Sequence, residues 1–222
     1  MSVAAYFDVD GTITRTTILH PLIWYQRAHL SRPRFVLFAL GMLARVPYYV
    51  WTDRRSRGRF NLVFYRRYVG LRMESLRDWH RRTFAENFQR TIFPAAVECV
   101  RDHQGRGHRI VLVTGGLDFV MRPLAEYLGA DELLANRLVE RDGICAGELD
   151  GPPLADTHKA DLVGEYAYRH GIDMSLSFAY GNSLGDAAML NSVGQPLAVN
   201  PDRRLRRLAG TRGWPMLEWA SA

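Results

Sequence analysis

The stretch YFDVDGTIT, residues 6–14, decides how the rest of the chain is interpreted. It places two carboxylates, Asp8 and Asp10, at the end of an apolar run that predicts a short buried strand. Two like charges so close together cost free energy unless a positive charge lies between them. Gly11 and Thr12 follow directly and predict a tight turn, since Asp-Gly pairs are typical of turns. The stretch is therefore either an ordinary strand end or the edge of a charged site.

After residue 94 the pattern alternates predicted helices with predicted strands. The second strand, HRIVLVTGG, carries Thr114 at its end, and the third, SLSFAYGNS, carries Asn182. Strands that alternate with helices predict a parallel α/β sheet with right-handed crossovers. In such sheets ligands bind beyond the carboxyl ends of the strands. We therefore expect Asp8, Thr114 and Asn182 to converge.

The bulk composition narrows the class of protein. The chain has 222 residues, 47% of them hydrophobic, which is enough for one domain with a core or a domain that carries an insert. Cys99 and Cys145 form no C-x-x-C pair, so no zinc or disulfide framework is expected. The first residues lack the basic segment of a signal peptide, and we expect a cytoplasmic protein. The longest apolar run, residues 35–44, falls short of the roughly 20 residues that a membrane-spanning helix needs.

A separate helical pattern occupies residues 17–93 and predicts an inserted domain. Between Thr14 and Phe93 there are 16 arginines and four acidic residues, a net charge of +12, so the remainder carries −6 to reach the overall +6. A basic segment joined to an acidic one indicates that the basic part faces an anionic molecule or surface.

Four separated pieces follow one another along the chain, each at a predicted strand end or helix start. They are Asp8-Val9-Asp10-Gly11-Thr12, Val113-Thr114-Gly115-Gly116, Lys159, and Gly181-Asn182-Ser183-Leu184-Gly185-Asp186. This order resembles the haloacid dehalogenase (HAD) superfamily of phosphohydrolases, and within it the subfamily IB, phosphoserine-phosphatase-like group. The resemblance implies an α/β fold: a Rossmann-like parallel-sheet core of residues 1–16 and 94–222, with an all-helical cap of residues 17–93.

The resemblance also implies an activity, the Mg²⁺-dependent hydrolysis of phosphomonoesters through an aspartyl-phosphate. Asp8 matches the family nucleophile, and Asp10 matches the acid that protonates the leaving oxygen and later activates water. Mg²⁺ is implied between Asp8, Asp10 and Asn182, which would neutralise the costly pair of acids. Thr114, Gly115 and Lys159 match the phosphate-binding positions. Supporting roles fall to Asp186, Gly11, Thr12 and Ser183.

Two of these positions stand out in the composition. Lys159 is the one lysine in a chain with 28 arginines, and it stands where the family uses a compact point charge. Asn182 stands where the family usually has an aspartate. Its amide oxygen can still bind a hard cation, but with one less negative charge, so weaker metal binding is expected.

The substrate is less well defined by the sequence. True phosphoserine phosphatases carry a glutamate shortly after the first motif, whereas the stretch TITRTTILH has no acid, which disfavours an amine-bearing substrate. A small or amphiphilic phosphorylated metabolite is expected. The apolar run at 35–44 is flanked by arginines and would allow peripheral contact with anionic lipid. The pattern favours the other interpretation, in which this run forms the core of the cap.

Two other classes of function stay open. One is a phosphotransferase on the same scaffold. The other is a catalytically weak protein that binds an anion, a nucleic acid or a membrane surface. The aromatic residues of the basic segment recur at helical spacing, which favours packing over base stacking, so no nucleic-acid partner is expected. They are Phe60, Phe64, Tyr65 and Tyr68. The sequence indicates no oligomeric state.

Overall fold

The computed structural model describes residues 2–219 of the chain, and within them the backbone forms eight strands and eleven helices. The strands are β1 Ala4–Phe7, β2 Arg109–Leu117, β3 Glu132–Asn136, β4 Leu138–Arg141, β5 Ile144–Leu149, β6 Phe178–Gly181, β7 Gln195–Val199 and β8 Met216–Leu217. Six of them form one sheet of order β3-β2-β1-β6-β7-β8, in which all pairs are parallel. The other two, β4 and β5, form an antiparallel hairpin. The predicted parallel α/β fold is confirmed.

All eleven α-helices lie in the segments that connect the strands. They are α1 Leu19–His29, α2 Arg32–Leu43, α3 Val46–Arg55, α4 Arg57–Tyr65, α5 Met73–Arg82, α6 Phe84–Asn87, α7 Pro94–Gly105, α8 Asp118–Leu128, α9 Thr157–His170, α10 Ala187–Asn191 and α11 Arg203–Arg212. The first six lie between β1 and β2, where the insert was predicted, and we keep the name cap for residues 17–93 as a proposal.

Buried side chains cover both faces of the large sheet. Every residue of β1 is buried, and successive side chains of a strand point to opposite faces. Phe7 accordingly packs in the cluster that extends into the cap, while Tyr6 packs against Tyr166 of α9 on the other face. A strand that is buried on both faces needs apolar side chains at every position. For this reason residues 3–7 are all apolar and do not alternate with polar residues.

The three central strands bring the polar strand ends together. In register, Phe7 of β1 lies beside Leu112 of β2 and Tyr180 of β6. Asp8 and Asn182 directly follow β1 and β6, and Thr114 lies three residues before the last residue of β2, so the three residues lie near the same edge of the sheet, as the parallel topology predicted.

The cap has an aromatic core, and the helix predicted to form that core, α2, contributes only two half-buried side chains to it, Phe38 and Met42. The four aromatic residues with helical spacing are all buried, and Tyr25 of α1 packs edge-on against Trp79 of α5 at 5.5 Å. In contrast, α2 has no buried residue, and Leu37 and Leu43 are 73% and 67% exposed. The expectation that residues 35–44 form the core of the cap holds only for Phe38 and Met42, which pack half-buried against it. Most of the fully buried residues come from α1, α4 and α5.

Membrane-spanning potential is limited to one bent pair of helices. Among the described residues, no helix by itself combines the length and the apolar content of a membrane span. The pair α2 and α3, which meet at a bend of 44°, reaches that length and composition only jointly.

Candidate active site

The turn after β1 is tightly wound around one carbonyl group. The backbone N–H groups of Thr12, Ile13 and Thr14 all point at the carbonyl oxygen of Val9, at 3.2, 2.9 and 3.0 Å. Gly11 adopts a φ of +85°, a conformation that favours glycine. A Cβ at this position would also collide with the side-chain amide of Asn182. The glycine is therefore required both by the backbone and by the close approach of Asn182.

Asp8 is a buried carboxylate that is held at both oxygens. Its Oδ1 accepts a hydrogen bond from Lys159 Nζ at 2.6 Å, and its Oδ2 accepts one from Thr12 Oγ1 at 2.9 Å. Lys159 lies in the first turn of α9, is 5% exposed, and donates a second bond to Asp186 Oδ1 at 2.7 Å. A single buried ammonium group thus joins two buried carboxylates from distant parts of the chain.

Asp186 supports the turn that carries Asn182. Its Oδ2 accepts hydrogen bonds from the backbone N–H and the hydroxyl of Ser183, at 3.0 and 2.8 Å, and from the Asn182 N–H at 3.2 Å. Burial by itself would raise the pKa of Asp186, but Lys159 and these donors outweigh burial and hold that pKa below its usual range. Asp186 is therefore a satisfied anion that positions both Lys159 and the turn.

Asp10 is oriented by a pair of threonines. Its Oδ1 accepts a hydrogen bond from Thr16 Oγ1 at 2.9 Å, and Thr16 is in turn hydrogen-bonded to Thr14 Oγ1 at 2.6 Å. Burial is the main cause that raises the pKa of Asp10. The arrangement favours a carboxyl group that releases its proton less readily than a free aspartate and points in a defined direction. Thr16 was not among the residues that the sequence singled out.

Two of the positions predicted to bind phosphate, Thr114 and Gly115, lie in the second half of β2. The Thr114 hydroxyl accepts a hydrogen bond from the Gly116 N–H at 2.9 Å and is fully buried. The Gly115 carbonyl accepts bonds from the Tyr65 hydroxyl at 2.5 Å and from Asn136 Nδ2 at 2.8 Å. The loop is thereby connected to the cap through Tyr65.

Most of the residues singled out from the sequence line one small cavity. They are Asp8, Asp10, Gly115, Lys159, Asn182, Ser183 and Asp186. Gly11 lines an adjoining open cleft. Thr12 and Thr114 do not line the cavity, and each instead forms a hydrogen bond next to it.

The charge around the cavity is not balanced. Four carboxylates line the cavity, those of Asp8, Asp10, Asp156 and Asp186, while Lys159 and Arg57 supply two positive charges, so two negative charges remain when all four acids are ionised. Burial and the charge of Asp186 raise the pKa of Asp8 to about 7, although Lys159 acts in the opposite direction. Asp8 therefore lacks part of the positive charge that its ionised form requires.

The oxygen atoms that line the cavity are suited to binding a hard divalent cation. The oxygen-bearing side chains of Asp8, Asp10 and Asn182 line the same cavity, and oxygen ligands are those that Mg²⁺ prefers. A charge of +2 would balance the two uncompensated negative charges. Within residues 2–219 no three His, Cys, Asp or Glu side chains form a metal-binding group, so a third protein ligand would be the neutral amide of Asn182.

Two cap residues at or next to the cavity were not identified from the sequence. Arg57, at the start of α4, lines the cavity and donates a hydrogen bond to Asp53 Oδ1 at 2.8 Å. Asn61, one turn later, is fully buried against Gly115, and neither atom of its amide has a hydrogen-bond partner among the described residues. A buried unpaired amide is costly, so the Asn61 side chain holds hydrogen-bonding groups without a described partner beside Gly115. No sequence signal distinguished Arg57 from the other arginines of the cap.

Comparison with protein families gives one match that spans most of the chain. A family model described as haloacid dehalogenase-like hydrolase matches residues 5–191. Among curated proteins, the chain is 32% identical to the "Inhibition of morphological differentiation protein" of Streptomyces azureus over 219 residues, which covers 97% of this chain and 78% of the relative. It is 28% identical to the "Phosphoserine phosphatase SerB1" of Mycobacterium tuberculosis over 228 residues, which covers 100% of this chain and 72% of the relative.

A solved structure shares the fold. A substrate-bound phosphoserine phosphatase complex superposes with a TM-score of 0.71 at 20% sequence identity, covering 98% of this chain and 93% of that chain. At this level of identity the similarity establishes the architecture of the sheet and its helices.

Proposed function

Because the chain belongs to the haloacid dehalogenase-like hydrolase family, we propose that it is a phosphatase that hydrolyses phosphomonoesters through an aspartyl-phosphate on Asp8. The observation that carries the proposal is the buried Lys159, which contacts Asp8 and Asp186 beside the cavity that Asp10 also lines. The name of the mycobacterial relative, a phosphoserine phosphatase, supports the reaction class.

In the first step a carboxylate oxygen of Asp8 attacks phosphorus, and the bond between phosphorus and the ester oxygen breaks. Lys159 and Thr12 hold the two oxygens of Asp8, so the nucleophile is oriented before substrate arrives. The leaving alkoxide takes the proton of Asp10, whose raised pKa favours the protonated acid. Thr16 keeps that acid in one direction.

In the second step water attacks the aspartyl-phosphate and gives a proton to Asp10. The phosphorus–Asp8 bond breaks, which regenerates the Asp8 carboxylate and releases inorganic phosphate. Lys159 and the Gly115 N–H offer positive charge and a donor to the phosphoryl oxygens in both steps. A bound Mg²⁺, held by Asp8, Asp10 and Asn182, would supply further charge neutralisation for the phosphoryl group.

The dimensions of the site suit a substrate that enters phosphate first. The inner cavity holds about 30 Å³, whereas the adjoining cleft holds about 410 Å³. The phosphoryl group would enter at the inner cavity, beside Asp8 and Lys159, and the leaving group would extend past Arg57 and Ile18 into the cleft. Four arginines and four aspartates line that cleft. An amine-bearing substrate is instead disfavoured by the absence of any acidic residue from the segment 11–20 that follows Asp10. We therefore propose a small or amphiphilic phosphorylated metabolite other than phosphoserine as the substrate.

The proposal is tested by assaying the purified protein with p-nitrophenyl phosphate. We expect hydrolysis that requires Mg²⁺ and stops on addition of a chelator, with restoration by excess Mg²⁺. A protein that stays inert with Mg²⁺, Mn²⁺ and Co²⁺ over a panel of phosphorylated metabolites and lysolipids would refute it. Transfer to an added alcohol that exceeds transfer to water would instead identify a phosphotransferase.

The amide at Asn182 offers a test of the metal ligands. Asn182→Asp adds one negative charge to the proposed ligand set with no change of shape, so the Mg²⁺ concentration for half-maximal activity should fall by about tenfold. Calorimetric titration of Mg²⁺ without substrate should show the same direction. Asn191→Asp, an exposed position on α10, is the control and should change neither value. An unchanged or raised requirement in Asn182→Asp would remove this residue from the metal shell.

A further inference from the structure

One face of the cap is apolar and exposed. Four residues of α2 and four of α3 form this apolar face, each between 44% and 73% exposed: Val36, Leu37, Leu40, Leu43, Val46, Tyr48, Val50 and Trp51. Single exposed apolar residues are ordinary, but an apolar face along two consecutive helices indicates an interaction surface. The aromatic core of the cap lies elsewhere and does not use these side chains.

The charge around the apolar face is mainly positive, and the one acid of α2 and α3, Asp53, is paired with Arg57 at 2.8 Å. Residues 11–52 contain five arginines and no Asp or Glu. The arginines are Arg15, Arg27, Arg32, Arg34 and Arg45. Three of them, Arg32, Arg34 and Arg45, lie in α2 or directly after it, beside the exposed leucines. Apolar side chains bordered by arginines are complementary to a surface that is anionic outside and hydrocarbon inside.

We propose that the apolar face docks on the surface of an anionic lipid bilayer, with α2 lying in the plane of the interface. Leucines and valines would enter the boundary of the acyl chains, and the arginines would contact the headgroups. The cationic border favours this occupant over a second copy of the chain, since a self-interface would bring the same arginines together without acids to pair them.

The geometry also argues against a crossing of the bilayer. With its 12 residues at about 1.5 Å each, α2 is about 18 Å long, short of the roughly 30 Å hydrocarbon core. The next helix, α3, buries Tyr49 and Thr52, and the Tyr49 ring packs edge-on against Phe64 of α4 at 6.1 Å. Since the protein itself holds α3, the pair lies on the membrane surface.

The apolar face is continuous with the entrance of the site. Its last residue, Trp51, has the Arg55 guanidinium over its ring at 4.4 Å. Arg54, Arg55 and Arg57 line the cleft that adjoins the cavity of Asp10. Docking would therefore bring the cleft to the level of the headgroups, where the phosphate of an amphiphile is presented. This consequence rests on the proposed phosphatase activity, whereas docking itself does not.

Co-sedimentation with lipid vesicles tests the docking. Wild-type protein should bind vesicles of phosphatidylcholine with about one-third phosphatidylglycerol, and should bind pure phosphatidylcholine far less. The triple variant Leu37→Glu, Leu40→Glu and Leu43→Glu should lose at least about tenfold in partitioning. Each Arg→Gln change at 32, 34 or 45 should cost about fivefold. The control is Leu176→Glu, which changes a leucine that is 53% exposed and lies outside the cap. This variant should bind vesicles like wild type.

Three outcomes would overturn the proposal. The wild-type protein does not bind anionic vesicles, or the triple variant binds them as well as wild type does. In the third, the wild-type protein forms a dimer that the triple substitution dissociates, and neither protein binds vesicles.

A paired activity assay separates docking from catalysis. The triple variant should hydrolyse soluble p-nitrophenyl phosphate like wild type, but a long-chain alkyl phosphate in vesicles more slowly. Failure of the soluble assay in both proteins would refute the proposed function and leave the sedimentation result to decide the docking.

Discussion

Asp8→Asn is expected to reduce the hydrolysis of p-nitrophenyl phosphate by about 10⁴-fold or more, because it removes the proposed nucleophile. The amide is of the same size and can still accept the hydrogen bond from Lys159. Burial raises the pKa of Asp8, which means that its charge opposes folding in the absence of a cation. The metal-free variant should therefore melt at the temperature of wild type or above it, so the loss of activity cannot be ascribed to unfolding.

The chemistry of the lost step is tested by trapping the intermediate. Wild-type protein quenched with acid during turnover should carry a phosphoryl label that hydroxylamine removes, as expected of an acyl phosphate. Asp8→Asn should carry none. Asp161→Asn, an exposed aspartate on α9, is the matched control and should label like wild type. A labelled Asp8→Asn protein, or one with more than a tenth of wild-type turnover, would assign the nucleophile to another residue.

Lys159→Met should affect both activity and stability. The substitution leaves Asp8 and Asp186 buried without the ammonium group that now contacts both, and breaking a buried ion pair in this way costs about 3–5 kcal/mol in the free energy of unfolding. Turnover should fall by about 10³-fold, since one fixed positive charge beside the phosphoryl group is lost. Denaturant titration and the p-nitrophenyl phosphate assay measure the two effects.

Two further variants separate the charge of Lys159 from its shape. Lys159→Met combined with Asp186→Asn removes one uncompensated carboxylate, so stability should partly return while activity stays low. Lys159→Arg keeps the charge, but a planar guanidinium does not reproduce the contacts of a compact ammonium, and activity should still fall. Wild-type stability and turnover in Lys159→Met would contradict the role given to this residue.

Much of the fold could be predicted because it depends on local patterns. Short apolar runs bounded by glycine turns define buried strands, and their alternation with helices implies parallel pairing. Parallel strands present their carboxyl ends at one edge, so the proximity of Asp8 to the turn at Asn182 follows from order along the chain. The same reasoning placed too much of residues 35–44 in the core of the cap, where only Phe38 and Met42 pack, since hydropathy cannot tell which of several apolar helices fills a limited interior.

The chain by itself therefore determined the sheet, the polar strand ends and the family resemblance, since these depend on residue order and on the period of apolar side chains. Only the tertiary structure decided which cap residues meet the cavity and which face remains uncovered. Arg57 and Thr16 reach the site because α4 and the turn after β1 pack where they do. Most of α2 is exposed because α1, α4 and α5 supply most of the buried residues of the aromatic core. Which side chains become buried depends on how segments distant in sequence pack together, and this cannot be determined from any one segment.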